Sequence, residues 1–157
     1  MSTRGGVMPE DRVVDPHYAR TDEYREQLEE IAAKGLCPFC PGNFDWHPNP
    51  ILYEAGGWFI TPIRLNYENA RLHLLLIGLQ HKEHFLDLTL EDLEDIQALV
   101  AWAAFEYDLE DKGGGFLMRF GATEYTGASV VHLHAHLIVP EIDPETGRAK
   151  VVNFPIG

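Results

Sequence analysis

The chain has little positive charge, almost no cysteine and no long hydrophobic run, and each shortage narrows what it can be. Of its 157 residues 12 are Lys or Arg, against 25 Asp and Glu, which leaves a net charge of −13. A broad nucleic-acid-binding surface needs clustered cations, so this balance argues against an extended nucleic-acid partner. It leaves room for a small phosphate ligand, which backbone N–H groups, a helix N-terminus or a few imidazoles can hold. The longest apolar runs, such as Leu74-Leu75-Leu76-Ile77, fall far short of the roughly 18 residues a membrane span needs. Arg4 has no apolar stretch behind it, so no signal peptide is expected and the cytoplasm is the default location. No internal repeat is visible. The two cysteines, Cys37 and Cys40, form one Cys-x-x-Cys. In a cytoplasmic chain such a pair reads as a redox pair or half a metal site rather than a structural disulfide.

What remains is an ordinary globular composition, 45% hydrophobic and 24% charged, over a length that suits one domain. Residues 1–20, with Gly5-Gly6, Pro9 and Pro16, read as a flexible arm, and 21–157 as a single domain. Thr21 caps a predicted helix from Asp22 to about Lys34, which Gly35 ends. A Pro-rich loop follows, then a hairpin in which Ile51–Glu54 and Trp58–Pro62 flank Gly56-Gly57. Arg64 to Arg71 reads as a polar connection, and Leu72–Leu79, apolar on both faces, as a covered strand. Thr89 and Asp92 cap a long helix from Leu90 to about Asp108, with Leu93, Ile96, Leu99, Val100, Ala103 and Ala104 facing the core. Gly113-Gly114-Gly115 turns the chain into a strand over Phe116–Phe120. A loop, Gly121–Ala128, leads to a strand over Ser129–Val139, and Arg148–Phe154 can add a short last strand. This order describes an α+β domain with an antiparallel sheet.

Residues two apart on a strand share a face, so His132, His134 and His136 point the same way, about 7 Å from one to the next. Val131, Leu133, Ala135 and Leu137 fill the other face. A row of imidazoles has no folding rationale, since an aliphatic residue packs better and needs no polar partner. Two chemistries use such a row: metal binding through a His-x-His pair, and nucleophilic catalysis by a neutral imidazole.

The run His-Leu-His-Ala-His-Leu-Ile at 132–138 resembles the motif of the histidine-triad (HIT) superfamily of nucleotide hydrolases and transferases. The segment His73-Leu-Leu-Leu-Ile-Gly-Leu-Gln-His81 and the lead Gly127-Ala128-Ser129 extend the likeness over roughly residues 37–140. The resemblance implies a HIT-like α+β fold, with an antiparallel sheet of about five strands and two main helices. It also implies a small-molecule nucleotide substrate and a homodimer. It casts His134 as the catalytic nucleophile that forms a nucleotidyl-histidine intermediate. His136 would act beside it, against the phosphate and leaving group. Ser129 would offer its hydroxyl and N–H to phosphate oxygens.

Cys37-Pro-Phe-Cys40 resembles a zinc knuckle. Branches of the superfamily that include galactose-1-phosphate uridylyltransferase close this site with two histidines, which match His81 and His132. The implied cofactor is a structural zinc on Cys37, Cys40, His81 and His132. A redox dithiol and plain reduced cysteines are the rivals, and His84 can take the place of His81. His73 reads as a strand residue rather than a ligand.

The sequence departs from the resemblance at the nucleoside end. Ile63 stands near the position where relatives hold the ribose with Asn or Asp, and Ala128 where many have Gln. Arg64, Asn66, Asn69, Arg71 and Arg119 are polar residues that can substitute. Three functions follow: a hydrolase of dinucleoside polyphosphates or nucleoside phosphoramidates, a nucleotidyltransferase or phosphorylase, and a catalytically weak nucleotide- or partner-binding module.

Overall fold

The helices start and stop where side chains can satisfy their end groups. In the computed structural model, which describes residues 12–157, α1 (Asp22–Lys34) begins with Thr21 accepting from the Tyr24 N–H. It ends at Gly35, whose φ of 65° is the left-handed conformation that glycine adopts without a Cβ clash. Helix α2 (Leu90–Glu106) opens with a complete capping box between Thr89 and Asp92. Asp92 also accepts from the Trp58 indole at 2.9 Å and from Lys82 Nζ at 2.5 Å. One carboxylate thereby pins α2 to the sheet and to the turn after it.

Strands β1 (Tyr53–Ala55), β2 (Trp58–Pro62), β3 (Ala70–Gly78), β4 (Gly115–Met118) and β5 (His134–Pro140) form one sheet in the order β1-β2-β3-β5-β4. Every neighbouring pair is antiparallel. The five-stranded antiparallel sheet and two main helices match the predicted α+β architecture. A one-turn helix, α3 (Thr123–Thr126), interrupts the predicted Gly121–Ala128 loop.

Side-chain parity sorts the sheet into two faces. Trp58, Ile60, Leu74, Leu76, Leu133, Ala135 and Leu137 pack against Ile96, Leu99 and Ala103 of α2. On the other face Phe59, Leu75 and Ile77 pack with Leu28 and Ile31 of α1 and with Cys37 and Phe39 of the following loop. Burying each large aliphatic side chain contributes about 1.5–3 kcal/mol. Leu93, predicted as core, is instead 44% exposed, and Val100 and Ala104 are half-buried. Only the Ile96, Leu99 and Ala103 stripe of α2 reaches the sheet squarely.

Three expectations need correction. The arm 1–20 lies outside the described residues as far as 11, but Val14 is 1% exposed and bridges Val130. The packed chain therefore starts before residue 21. The strand expected from Ser129 is part of the sheet only from His134. Before that it runs beside another segment: the Ser129 carbonyl accepts from the Asp15 N–H, the Val131 N–H donates to Val13, and the Leu133 N–H donates to Lys82. The expected strand over Arg148–Phe154 shrinks to a single bridge between Ile142 and Ala149.

Candidate active site and metal cluster

His132, His134 and His136 all project onto the α1 side of the sheet, and all are buried, at 2%, 8% and 3% exposure. Each ring has one nitrogen committed to a partner. The carbonyl of His132 accepts the Nδ1–H of His134 at 2.8 Å. An imidazole that donates from Nδ1 carries its lone pair on Nε2, and His134 lines a cavity of about 510 Å³. Burial, above all, holds its pKa down to about 4, with the nearby Arg119 and His132 charges adding to the effect. The ring is neutral at pH 7, with an unprotonated nitrogen available for attack.

His136 Nδ1 lies 2.8 Å from Nε2 of His73 on β3, because Leu75 pairs with His136 across the two strands and His73 lies two residues along the same face. The other nitrogens, His73 Nδ1 and His136 Nε2, have no hydrogen-bond partner among the described residues. Either direction of this bond leaves one ring with an unpaired N–H and the other with a bare lone pair. His136 lines the cavity and His73 does not, so only on His136 can a ligand satisfy the orphaned N–H. His73 Nε2–H therefore donates to His136, which places the remaining proton of His136 on Nε2. His136 is a wall residue of the cavity, so that N–H is the donor available to a ligand there. Burial keeps both rings neutral, lowering His73 to about 4 and His136 well below its ordinary value.

Phe39 meets the His134 ring edge-on at 5.1 Å and stacks 6.1 Å from Trp46. Together with Tyr24, Ile63, Arg64 and Tyr67 these rings line the same cavity. Ser129 is not one of its wall residues; its Oγ lies 3.3 Å from the Tyr24 hydroxyl, which is. Ile63 sits on the wall, and its carbonyl accepts from Asn49 at 2.9 Å. Of the polar residues considered as substitutes for it, Arg64 lines the cavity but is bonded to Gln27 and Glu23. Asn69 donates to the Val151 carbonyl, Asn66 and Arg71 are exposed, and Arg119 lies over Phe154.

The ligand atoms of Cys37, Cys40, His81 and His132 all lie within 4.8 Å of one another. The two imidazoles are turned the same way. His132 donates Nε2–H to the Gly78 carbonyl at 2.6 Å, leaving Nδ1 3.3 Å from Cys37 Sγ. His81 donates Nε2–H to Glu83 at 2.9 Å, with Nδ1 3.5 Å from Cys40 Sγ. Two thiols and two imidazoles, oriented by hydrogen bonds on their far nitrogens, form a cluster that can hold a metal ion. His84, the alternative to His81, stands beside Gly121, and it is His81 that the turn delivers to the cluster. Cys37 and Cys40 are unbridged.

The parity of the strand was enough to find the triad face. It did not reveal the His73–His136 pair, which needs the β3–β5 register, nor Tyr67 and Phe154, which flank it.

This arrangement is the histidine-triad fold. No protein-family model matches the sequence, and no curated protein matches it. Solved structures do. A HIT family hydrolase from Clostridium thermocellum is 24% identical, with a TM-score of 0.51 over 62% of this chain and 83% of its own. A histidine-triad nucleotide-binding protein from Candida albicans is 20% identical, with a TM-score of 0.52 over 70% and 76%. A histidine-triad protein from Clostridium difficile is 19% identical, with a TM-score of 0.51 over 69% and 86%. Among the described residues, no helix is long and apolar enough to cross a membrane.

Proposed function

We propose that the chain is a nucleotide-phosphate hydrolase in which His134 is the nucleophile and the substrate is a dinucleoside polyphosphate or a nucleoside phosphoramidate. The observation that carries this reading is the hydrogen bond from His134 Nδ1–H to the His132 carbonyl, which frees the Nε2 lone pair in a cavity of nucleotide size. The fold shared with a HIT family hydrolase and a nucleotide-binding protein of the triad type supports it.

In the first step Nε2 of His134 attacks the α-phosphorus and the bond to the leaving group breaks, the leaving group taking the electron pair and, where it is an amine, a proton from solvent. His136 Nε2–H donates to a non-bridging phosphate oxygen as its charge grows. Ser129, whose Oγ lies 3.3 Å from the cavity-lining Tyr24 hydroxyl, would reach the same phosphate from just beyond that wall. In the second step water attacks phosphorus, the P–N bond returns its pair to His134, and the proton of the water passes to solvent. Splitting one displacement into two lowers each barrier. Phe39, Trp46 and Ile63 give the nucleoside an apolar wall.

The cysteine–histidine cluster is proposed to hold one zinc on Cys37, Cys40, His81 and His132. A zinc with four protein ligands is structural, and it would brace the loop carrying Phe39 against the triad strand. The chain is further proposed to pair as a homodimer, an expectation that rests on the resemblance and that sedimentation velocity tests, with the cytoplasm as its proposed location.

A panel of dinucleoside polyphosphates and adenylylated amines, assayed with and without inorganic phosphate, tests the function. Release of a nucleoside monophosphate independent of added phosphate is expected. Turnover only with added phosphate would make the chain a phosphorylase, and no turnover on any member would leave a binding module.

A further inference from the structure

The His73–His136 pair is gripped by two parallel stacks. The guanidinium carbon of Arg20 lies 4.1 Å over the Tyr67 ring, and Tyr67 meets His73 edge to face at 4.7 Å. Beside it, the guanidinium carbon of Arg119 lies 4.7 Å over Phe154, and Phe154 meets His136 edge to face at 4.8 Å. The two aromatic rings are 5.8 Å apart.

Phe154 belongs to a stretch, 151–157, with no regular secondary structure, where most residues are exposed and Phe154 itself is half-buried. The stretch is nevertheless tied down. Arg119 Nη1 donates to the Pro155 carbonyl at 3.1 Å and to the Gly127 carbonyl at 3.2 Å, and Asn69 donates to Val151 at 2.9 Å. The backbone of Gly157 occupies the space where a Cβ on Gly127 would go, with its oxygen 2.5 Å from that point. One guanidinium thus fastens the segment to the Gly127-Ala128-Ser129 lead while covering the ring that touches His136.

An imidazole held by a single hydrogen bond at Nδ1 can still swing about that bond. A second contact on the ring fixes its plane, and the plane sets where Nε2–H points. We propose that Phe154 is a positioning residue of the site, which fixes the His136 ring and is itself fixed by Arg119. The proposal rests on the reading of His136 as the donor to the phosphate. The nearby Arg20 and Arg119 charges also disfavour a positive charge on the pair, in the same direction as burial.

The test compares Phe154→Ala, Phe154→Leu and Phe154→Tyr with the unaltered protein, by kinetics on the best nucleotide substrate and by 15N imidazole NMR of His136. The unaltered protein should show one neutral His136 tautomer, protonated at Nε2. Phe154→Ala should give averaged nitrogen shifts and lower kcat about tenfold to hundredfold with little change in KM, as expected for a misoriented group. Phe154→Leu keeps apolar volume if the Ala variant fails to fold, and should show the same loosening. Phe154→Tyr should restore both the single tautomer and kcat. Unchanged His136 signals and kcat in the Ala and Leu variants, with only a lower melting temperature, would overturn the proposal. The NMR result does not depend on turnover. An unaltered protein inactive on every nucleotide would sink the phosphate-transfer reading, while the imidazole signals still decide whether Phe154 holds His136.

Discussion

The carbonyl of His132 accepts the Nδ1–H of His134 at 2.8 Å while the His132 ring faces the two cysteines. One residue therefore joins both sites, its ring belonging to the cysteine–histidine cluster and its backbone setting the tautomer of His134, the proposed nucleophile. Replacing His134 by Ala removes the proposed attacking nitrogen and leaves a small residue that a strand accepts. Activity should fall by about a thousandfold or more, with the fold and bound metal retained. Rapid quenching of the unaltered enzyme with labelled substrate should trap nucleotide on His134 as an acid-labile adduct in mass spectrometry. Near-normal turnover by the Ala variant, or label on another residue, would remove the covalent mechanism.

Acid should unfold the protein earlier than its surface carboxylates require. His73 takes up a proton near pH 6.5 when unfolded and near pH 4 when folded, because burial disfavours its charged form. Between those values the unfolded state binds more protons, so stability falls as pH falls through the window and this group adds no further loss below about pH 4. The loss attributable to one such group is on the order of 3 kcal/mol. Urea midpoints at pH 7 and pH 5 should therefore differ, and His73→Leu should reduce the difference at equal metal loading, the buried His134 and His136 supplying the remainder. A His73→Leu protein with the same pH slope would place the acid sensitivity elsewhere.

Local chemistry was legible in the sequence, and long-range pairing was not. Thr21, Gly35, Thr89 and Asp92 marked helix ends because capping is a contact between near neighbours. The triad face followed from alternation alone. The true start of β5 did not, because residues 129–133 bend away from the sheet and take their partners from 13–15 and from Lys82. His73 looked like any residue of an apolar strand; only the pairing of Leu75 with His136 brings it to 2.8 Å from the triad. Phe154 carried no signal, since nothing in its own segment reports that it meets His136 of β5 and lies under Arg119.

The cluster of Cys37, Cys40, His81 and His132 predicts about one tightly held zinc per chain. Metal analysis after expression in zinc-replete medium checks this. Metal binding adds to folding free energy when the unfolded chain lacks a formed site. Removal by a strong chelator, or Cys37→Ser, should therefore lower the melting temperature before it affects the chemical step. A metal-free protein with both thiols freely reactive and an unchanged melting temperature would reject the site.

The last prediction concerns the ribose. Ile63 presents a hydrocarbon side chain to the cavity, and its carbonyl already accepts from Asn49. Arg64, the nearest cation on that wall, is engaged by Gln27 and Glu23. A site built to hydrogen-bond a hydroxyl rejects the analogue lacking it by orders of magnitude, because its own polar group is then left unpaired. An apolar wall has no such group to strand. Ribonucleotide and 2′-deoxyribonucleotide substrates should therefore differ in kcat/KM by less than about tenfold. Ile63→Asp should widen that ratio by adding an acceptor to the wall proposed to face the sugar. A large preference for the ribonucleotide in the unaltered protein would mean that another residue holds the hydroxyls. Arg64, released from Glu23 when substrate enters, would be the first to replace.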